Sequence, residues 1–296
     1  MDWKNSHIDA LLERALIEDQ AAGDVTTDLT IDPGLLATAS IVARQEMVVC
    51  GLGAVPHFLE IFSRIDRRPE AQTRFEVVSH PEIFDGVKAR EGQVLAVIRH
   101  NARTLLSCER VILNLMQHLS GIATLTRQFV DAIQGTQAHI LDTRKTVPGL
   151  RALEKYAVLC GGGTNHRLDL ASGILIKNNH ISLGGGLPAV LTRALEQRQK
   201  GQRVQVEVRS AQELEEALEY GAEAILLDNM TPKEVKHAVE RIKRVERWIP
   251  TEASGGIVLS NVRAYAETGV DFISVGALTH SAIAADISMR ISAETA

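Results

Sequence analysis

The sequence predicts an α/β protein in two parts, a small N-terminal α+β domain followed by βα units that make an incomplete barrel or an open sheet. Three observations carry this. Up to about Val97 short β-rich runs, "ATASIVAR", "RFEVVSH" and "GQVLAVIRH", are separated by Pro, Gly and Asp. From His139 onward short apolar runs alternate with helical stretches, the pattern of βα units around a parallel sheet. The 296 residues, 45% apolar and 23% charged, suffice for two domains with real cores. The expected division is 1–115 and 116–296, with a C-terminal helix over about 280–296 packing back on the first part.

The chain opens with "MDWKNSHIDALLERALIEDQ", an amphipathic surface helix; no basic stretch precedes an apolar core, so it is not read as a signal peptide. The piece "DGVKAREGQVLAVIR" is similar to a biotinyl or lipoyl hammerhead, but no lysine sits in the turn such a carrier would modify, so it is read as structural. Residues 101–133 carry apolar residues at helical spacing, with Gly121 expected to interrupt two helices. Arg103 and Arg110 lie seven apart on one face of that stretch and read, on pattern alone, as solvated. The strands that follow are "HILD", "GILIK", "VQVEV", "AILLD", a weaker run around "WIPTEASGG", and "DFISVG". Helix starts are marked by "SAQE" (Ser210 to Glu213) and "TPKE" (Thr231 to Glu234). Six such units fall short of a closed barrel of eight.

A net charge of −5 argues against a nucleic-acid partner, since a phosphate-tracking surface makes a domain basic. Cys50, Cys108 and Cys160 are odd in number and lack CxxC spacing, which fits reduced thiols in a cytoplasmic protein. No apolar run approaches the length of a membrane span.

In barrels of this kind chemistry sits at the carboxyl ends of the strands. The residues there are Asp142 with Thr143, Arg144 and Lys145, then Lys177, Glu207, Asp228, Ser254 and Ser274. From Asp142 to Lys177 six Lys/Arg stand against three Asp/Glu, so that half of the site calls for an anion. "GGGTNHR" adds a glycine-rich approach ending in His166 and Arg167. Arginine forks suit carboxylate or phosphate, and lysines suit phosphate or, when desolvated, Schiff-base chemistry. Glu207 and Asp228 suit ribose hydroxyls or Mg²⁺. The last two turns, "EASGGI" and "ISVGALTHS", place Ser and Gly where such a barrel binds a sugar phosphate. The residues alone therefore point to an enzyme that uses a phosphosugar beside a polyanion. A Schiff-base aldolase built on Lys177 and a phosphosugar-binding regulatory module stay open as alternatives.

Taken in order, "TRKTVPGLRALEKYAVLCGGGTNHR", "ILIKNNH", "VEV", "LLDNM", "EASGGI" and "ISVGALTHS" resemble the quinolinate phosphoribosyltransferase family, as do "EDQAAGDVTTDLT" and "ERVILNLMQHLSGIAT". The resemblance spans nearly the whole chain. It implies an N-terminal α/β sandwich domain followed by an incomplete, open α/β barrel, a homodimer, and a decarboxylating reaction of quinolinate with phosphoribosyl pyrophosphate (PRPP) and Mg²⁺, giving nicotinate mononucleotide, pyrophosphate and carbon dioxide. By the same resemblance Arg144, His166 and Arg167 bind the quinolinate carboxylates, with Arg110 reaching in from the partner subunit. Thr143 lines this pocket; Lys145 and Lys177 hold pyrophosphate and carboxylates. Glu207 and Asp228 hold ribose hydroxyls and the metal, partly through substrate and water. Ser254, Gly255 and Gly256, with Ser274, Val275 and Gly276, hold the 5′-phosphate. Lys145, Lys177, Glu207 and Asp228 form the implied catalytic set. Two positions depart from the family pattern, Asn178 and Arg209, where acidic residues are usual, and both make the neighbourhood more positive. A related paralogue with another substrate is the nearest rival, and the set Arg144, His166 and Arg167 argues against it.

Overall fold

A computed structural model describes residues 1–294 and divides into two units. The first takes residues 1–125, 159–162 and those from 282 on; the second takes 126–158 and 163–281.

In the first unit α1 (Ser6–Glu18) starts where the Asn5 side chain accepts from the His7 amide, and it buries Ile8, Leu12 and Leu16 at helical spacing. The second helix, α2 (Val25–Thr30), is capped by Asp24, which accepts from the Thr27 amide at 3.1 Å. There follow β1 (Leu36–Ala43), β2 (Met47–Val48), α3 (Ala54–Ile65), β3 (Glu76–Val78), β4 (Lys88–Ala89) and β5 (Val94–Asn101). Alternation along β1 turns Ala37, Ala39 and Ile41 into the core. It pairs antiparallel with β5, and β5 with β3, while β2 and β4 form a separate ribbon.

The next element, α4 (Ala102–Ala132), is one helix of 31 residues, not two. Gly121 does not interrupt it. A methyl group there would stand 2.1 Å from the Ile283 carbonyl oxygen, so glycine is required by a backbone passing over the helix. Arg103 is not solvated either: its guanidinium donates to the Ile31 carbonyl at 2.6 and 2.9 Å, closing the carboxyl end of α2.

The second unit runs β6 (His139–Leu141), α5 (Arg151–Cys160), β7 (Ile174–Ile176), α6 (Asn178–Gly184), α7 (Leu187–Gln197), β8 (Val204–Val208), α8 (Ala211–Glu219), β9 (Ala224–Asp228), α9 (Pro232–Ile242), β10 (Thr251–Ser254), α10 (Val262–Ala266), β11 (Phe272–Ser274) and α11 (Ala277–His280). All six strands are parallel, in the order β6-β11-β10-β9-β8-β7. Among the described residues no strand joins β6 to β7, and the outer edge of β6 carries only a bridge to Thr164, so the barrel stays open between them. The two sequence-marked helix starts hold: Ser210 accepts from the Glu213 amide at 3.2 Å, and Thr231 and Glu234 cap each other's amides.

The C-terminal segment corrects an expectation. Over 280–296 a helix was anticipated; instead β12 (Ile287–Ala293) pairs antiparallel with the free edge of β1, making the first sheet β12-β1-β5-β3. Among the described residues no helix is long and apolar enough to cross a membrane.

Candidate active site

Every barrel residue named above as a site candidate, from Thr143 to Gly276, lines one cleft of about 460 Å³ at the carboxyl ends of the strands. Arg110 does not: it is an exposed residue of α4, in the first unit. Glu252 and His280 also line the cleft and were not anticipated.

The basic wall is built on a buried ion pair. Asp142, fully inaccessible just past the end of β6, accepts from Lys155 at 2.5 Å and from the His166 amide at 2.7 Å. Burial drives the Asp142 carboxyl above its ordinary value, against the pull of Lys155 and the His166 amide. Lys155 also donates to the His166 carbonyl at 3.0 Å. Of the six cations counted in the sequence, Lys155 is thus interior structure, and Arg151 braces the Thr146 hydroxyl at 3.0 Å. What remains in the cleft is Arg144, Lys145, Arg167 and Lys177.

Arg144, Lys145 and Arg167 have no carboxylate at ion-pair distance among the described residues. Arg167 donates to the Gly173 carbonyl at 2.8 Å, and burial, followed by repulsion from Arg144, lowers its pKa. Two adjacent guanidiniums with no acid between them attract an anion.

His166 faces the barrel interior. Its Nδ1 accepts the Arg167 amide at 2.7 Å, which leaves the proton on Nε2, 3.3 Å from Oε2 of Glu252. Glu252, on β10, is buried and also accepts from Gln205 at 2.7 Å. Burial alone would raise its carboxyl; the bonds from His166, Gln205 and Ser274 outweigh that and hold it below the ordinary carboxylate value. Its Oε1 is buried without a partner. Its signal in the sequence is an acid inside a run of otherwise uncharged strand residues.

The acidic wall comes from β8 and β9. Glu207 is buried and accepts from Asn178 at 2.9 Å, with the Lys177 ammonium 3.8 Å away. Asp228 accepts from the side chain of Asn229 at 2.9 Å. Arg209 reaches both, its Nη2 3.7 Å from Glu207 and its Nε 3.4 Å from Asp228. Asn229 holds a left-handed φ of 55°, and its amide donates to the Ser254 carbonyl at 2.8 Å. This packs it so tightly that a methyl group on Gly255 would meet its Oδ1 at 2.3 Å.

Ser254 to Gly256 and Ser274 to Gly276 close the cleft between the two walls. A methyl group on Gly276 would stand 2.9 Å from Cδ of Lys145, so the missing side chain makes room for the lysine stem. The Val275 amide donates to the Leu141 carbonyl at 3.0 Å, which ties this turn to β6. No three His, Cys, Asp or Glu side chains converge as a metal cage among the described residues.

Comparison with known proteins agrees with this architecture. Two family models match, "Quinolinate phosphoribosyl transferase, N-terminal domain" over residues 24–120 and its C-terminal counterpart over 122–290. The chain is 42% identical to the nicotinate-nucleotide pyrophosphorylase [carboxylating] of Mycobacterium leprae, over 95% of both chains. It is 41% identical to the probable enzyme of that name from Bacillus subtilis, over 95% of this chain and 92% of the relative. The solved nicotinate-nucleotide pyrophosphorylase of Francisella tularensis superposes with a TM-score of 0.86 at 36% identity, covering 97% of each chain. Matched along nearly its whole length in sequence and in fold, the chain belongs to the quinolinate phosphoribosyltransferase family.

Proposed function

We propose that this chain transfers the phosphoribosyl group of PRPP to quinolinate and decarboxylates the product to nicotinate mononucleotide, releasing pyrophosphate and CO₂, as a cytoplasmic homodimer. The observation that carries this is the division of one cleft into a wall of unpaired guanidiniums, Arg144 and Arg167, and a wall of two carboxylates, Glu207 and Asp228. A pyridine dicarboxylate fits the first and a ribose the second.

In this reading Arg144, Arg167 and His166 seat the two carboxylates of quinolinate, and the partner subunit's Arg110 completes the pocket. Lys145 and Lys177 neutralise pyrophosphate as it leaves, and the turns at Ser254 to Gly256 and Ser274 to Gly276 receive the 5′-phosphate. Departure of pyrophosphate makes C1 of the ribose electron-poor; Glu207 and Asp228 orient its hydroxyls and stabilise that positive charge. The pyridine nitrogen, held in line, attacks C1 and becomes cationic. The C2 carboxylate then leaves as CO₂, its electron pair stabilised beside the cationic nitrogen until C2 takes a proton. Mg²⁺ enters as the PRPP complex, a substrate, which suits a donor set of two carboxylates better than a resident site does.

Lys177 is half-exposed with Glu207 nearby, unlike the desolvated lysine of an aldolase. The test supplies quinolinate, PRPP and Mg²⁺ and looks for pyrophosphate and nicotinate mononucleotide. Product from nicotinate but none from quinolinate would overturn the decarboxylating assignment.

A further inference from the structure

Two carboxylates at the ends of adjacent parallel strands, facing one cleft, repel each other and invite a cation. Here the cation is already part of the chain. Arg209 lies just past β8, its amide held by Glu213 at 2.6 Å, and its guanidinium spans from Oε1 of Glu207 at 3.7 Å to Oδ2 of Asp228 at 3.4 Å. Lys177 stands 3.8 Å from the other oxygen of Glu207. Two negative charges therefore face two positive ones, and the Glu207 and Asp228 oxygens nearest Arg209 also accept from Asn178 and Asn229.

We propose that Arg209 is a tethered cation holding the place between Glu207 and Asp228, so that the free protein has no divalent-metal site of its own. The inference rests on the reading of this cleft as the PRPP site, and it adds how that substrate is admitted. A small divalent ion needs short bonds to oxygen and gives up its water reluctantly. To reach this carboxylate pair it must displace a guanidinium and approach an ammonium. The contacts of Arg209 are long and its side chain is 54% exposed, so it is not locked in place. A ribose diol can hydrogen-bond to the same carboxylates while Arg209 swings toward the phosphates. The divalent ion then enters only as a passenger on pyrophosphate, and empty enzyme is not occupied by free metal.

Mn²⁺ is the probe, its free concentration read by electron paramagnetic resonance in titrations of the full-length protein without PRPP. Wild type should bind no Mn²⁺ above the level of a Glu207→Gln control. Arg209→Met, which keeps the length and removes the charge, should gain affinity by at least about tenfold, and the gain should vanish in Arg209→Met/Glu207→Gln. Arg209→Lys, still charged, should behave like wild type, and thermal melts of all variants establish that they are folded. Tight Mn²⁺ binding by wild type, or no gain in folded Arg209→Met, would overturn the proposal. Adding PRPP separates the two readings. If PRPP brings Mn²⁺ onto no variant, the functional reading of the cleft fails; the comparison without PRPP still decides whether Arg209 excludes metal.

Discussion

His166 directs its Nε2 to Glu252 across 3.3 Å because its other ring nitrogen already accepts from the Arg167 amide at 2.7 Å. The imidazole is therefore oriented from both sides, by the loop that carries it and by an acid inside the barrel. Glu252→Gln keeps the shape and an acceptor but removes the charge. It should raise KM for quinolinate about five- to tenfold with a smaller change in kcat, and lower the melting temperature at neutral pH, because the carboxylate held below its ordinary value adds stability there. Steady-state kinetics check this; an equal fall in kcat with KM unchanged would assign Glu252 to the chemical step.

Arg144→Ala should lower kcat/KM for quinolinate by roughly a thousandfold or more, because it removes one arm of the anion pocket. The melting temperature should hold or rise, since Arg144 and Arg167 repel each other in the empty protein. Calorimetry beside the kinetic assay tests both halves, and a melt lowered by several degrees would make Arg144 a structural residue.

Gly255 and Gly256 both hold positive φ, 96° and 64°, yet their surroundings differ. A methyl group at Gly255 collides with Asn229, whereas at Gly256 it enters open space. Gly256→Ala should cost about 1 kcal/mol from backbone strain alone, and Gly255→Ala about 2 kcal/mol or more. Urea denaturation ranks them, and the reverse order would contradict the packing described.

His100, buried in the first unit and stacked on Phe75, has its pKa lowered from 6.5 to about 4 by burial. The unfolded chain takes up this proton first as pH falls, so stability should be full above pH 6.5 and decline toward pH 4. His100→Asn, which preserves an acceptor for the Asn101 amide, should flatten that part of the melting-temperature profile. An unchanged slope would place the acid sensitivity elsewhere.

The barrel and most of the candidate site were legible because the strands there, β10 apart, are short, mainly apolar and end in residues that water or a ligand must meet. Glu207, Asp228 and the two Ser-Gly turns stand out for that reason alone. What escaped notice depends on partners far away in sequence. Ile287 to Ala293 alternates apolar and polar residues, a strand signal within the stretch expected to be helical, and the edge of β1 supplies its partner. Gly121 resembles a break until the Ile283 backbone is seen above it, and Arg103 looks solvated until it meets the end of α2. The reach of Arg209 across two strands has no local signature either. In "LDTRK" the acid and the bases look alike, yet Asp142 turns inward to Lys155 while Arg144 and Lys145 turn to the cleft.

That inward pair has a geometric consequence. Asp142 follows the last residue of β6, two places before Arg144, and the same carboxylate grips the amide of His166, the residue before Arg167. The two jaws that would grasp a dicarboxylate are thus riveted to one buried post, and their gap is set from inside the barrel. The spacing between these two cationic segments is thereby fixed by a buried ion pair and not by the loops that face solvent.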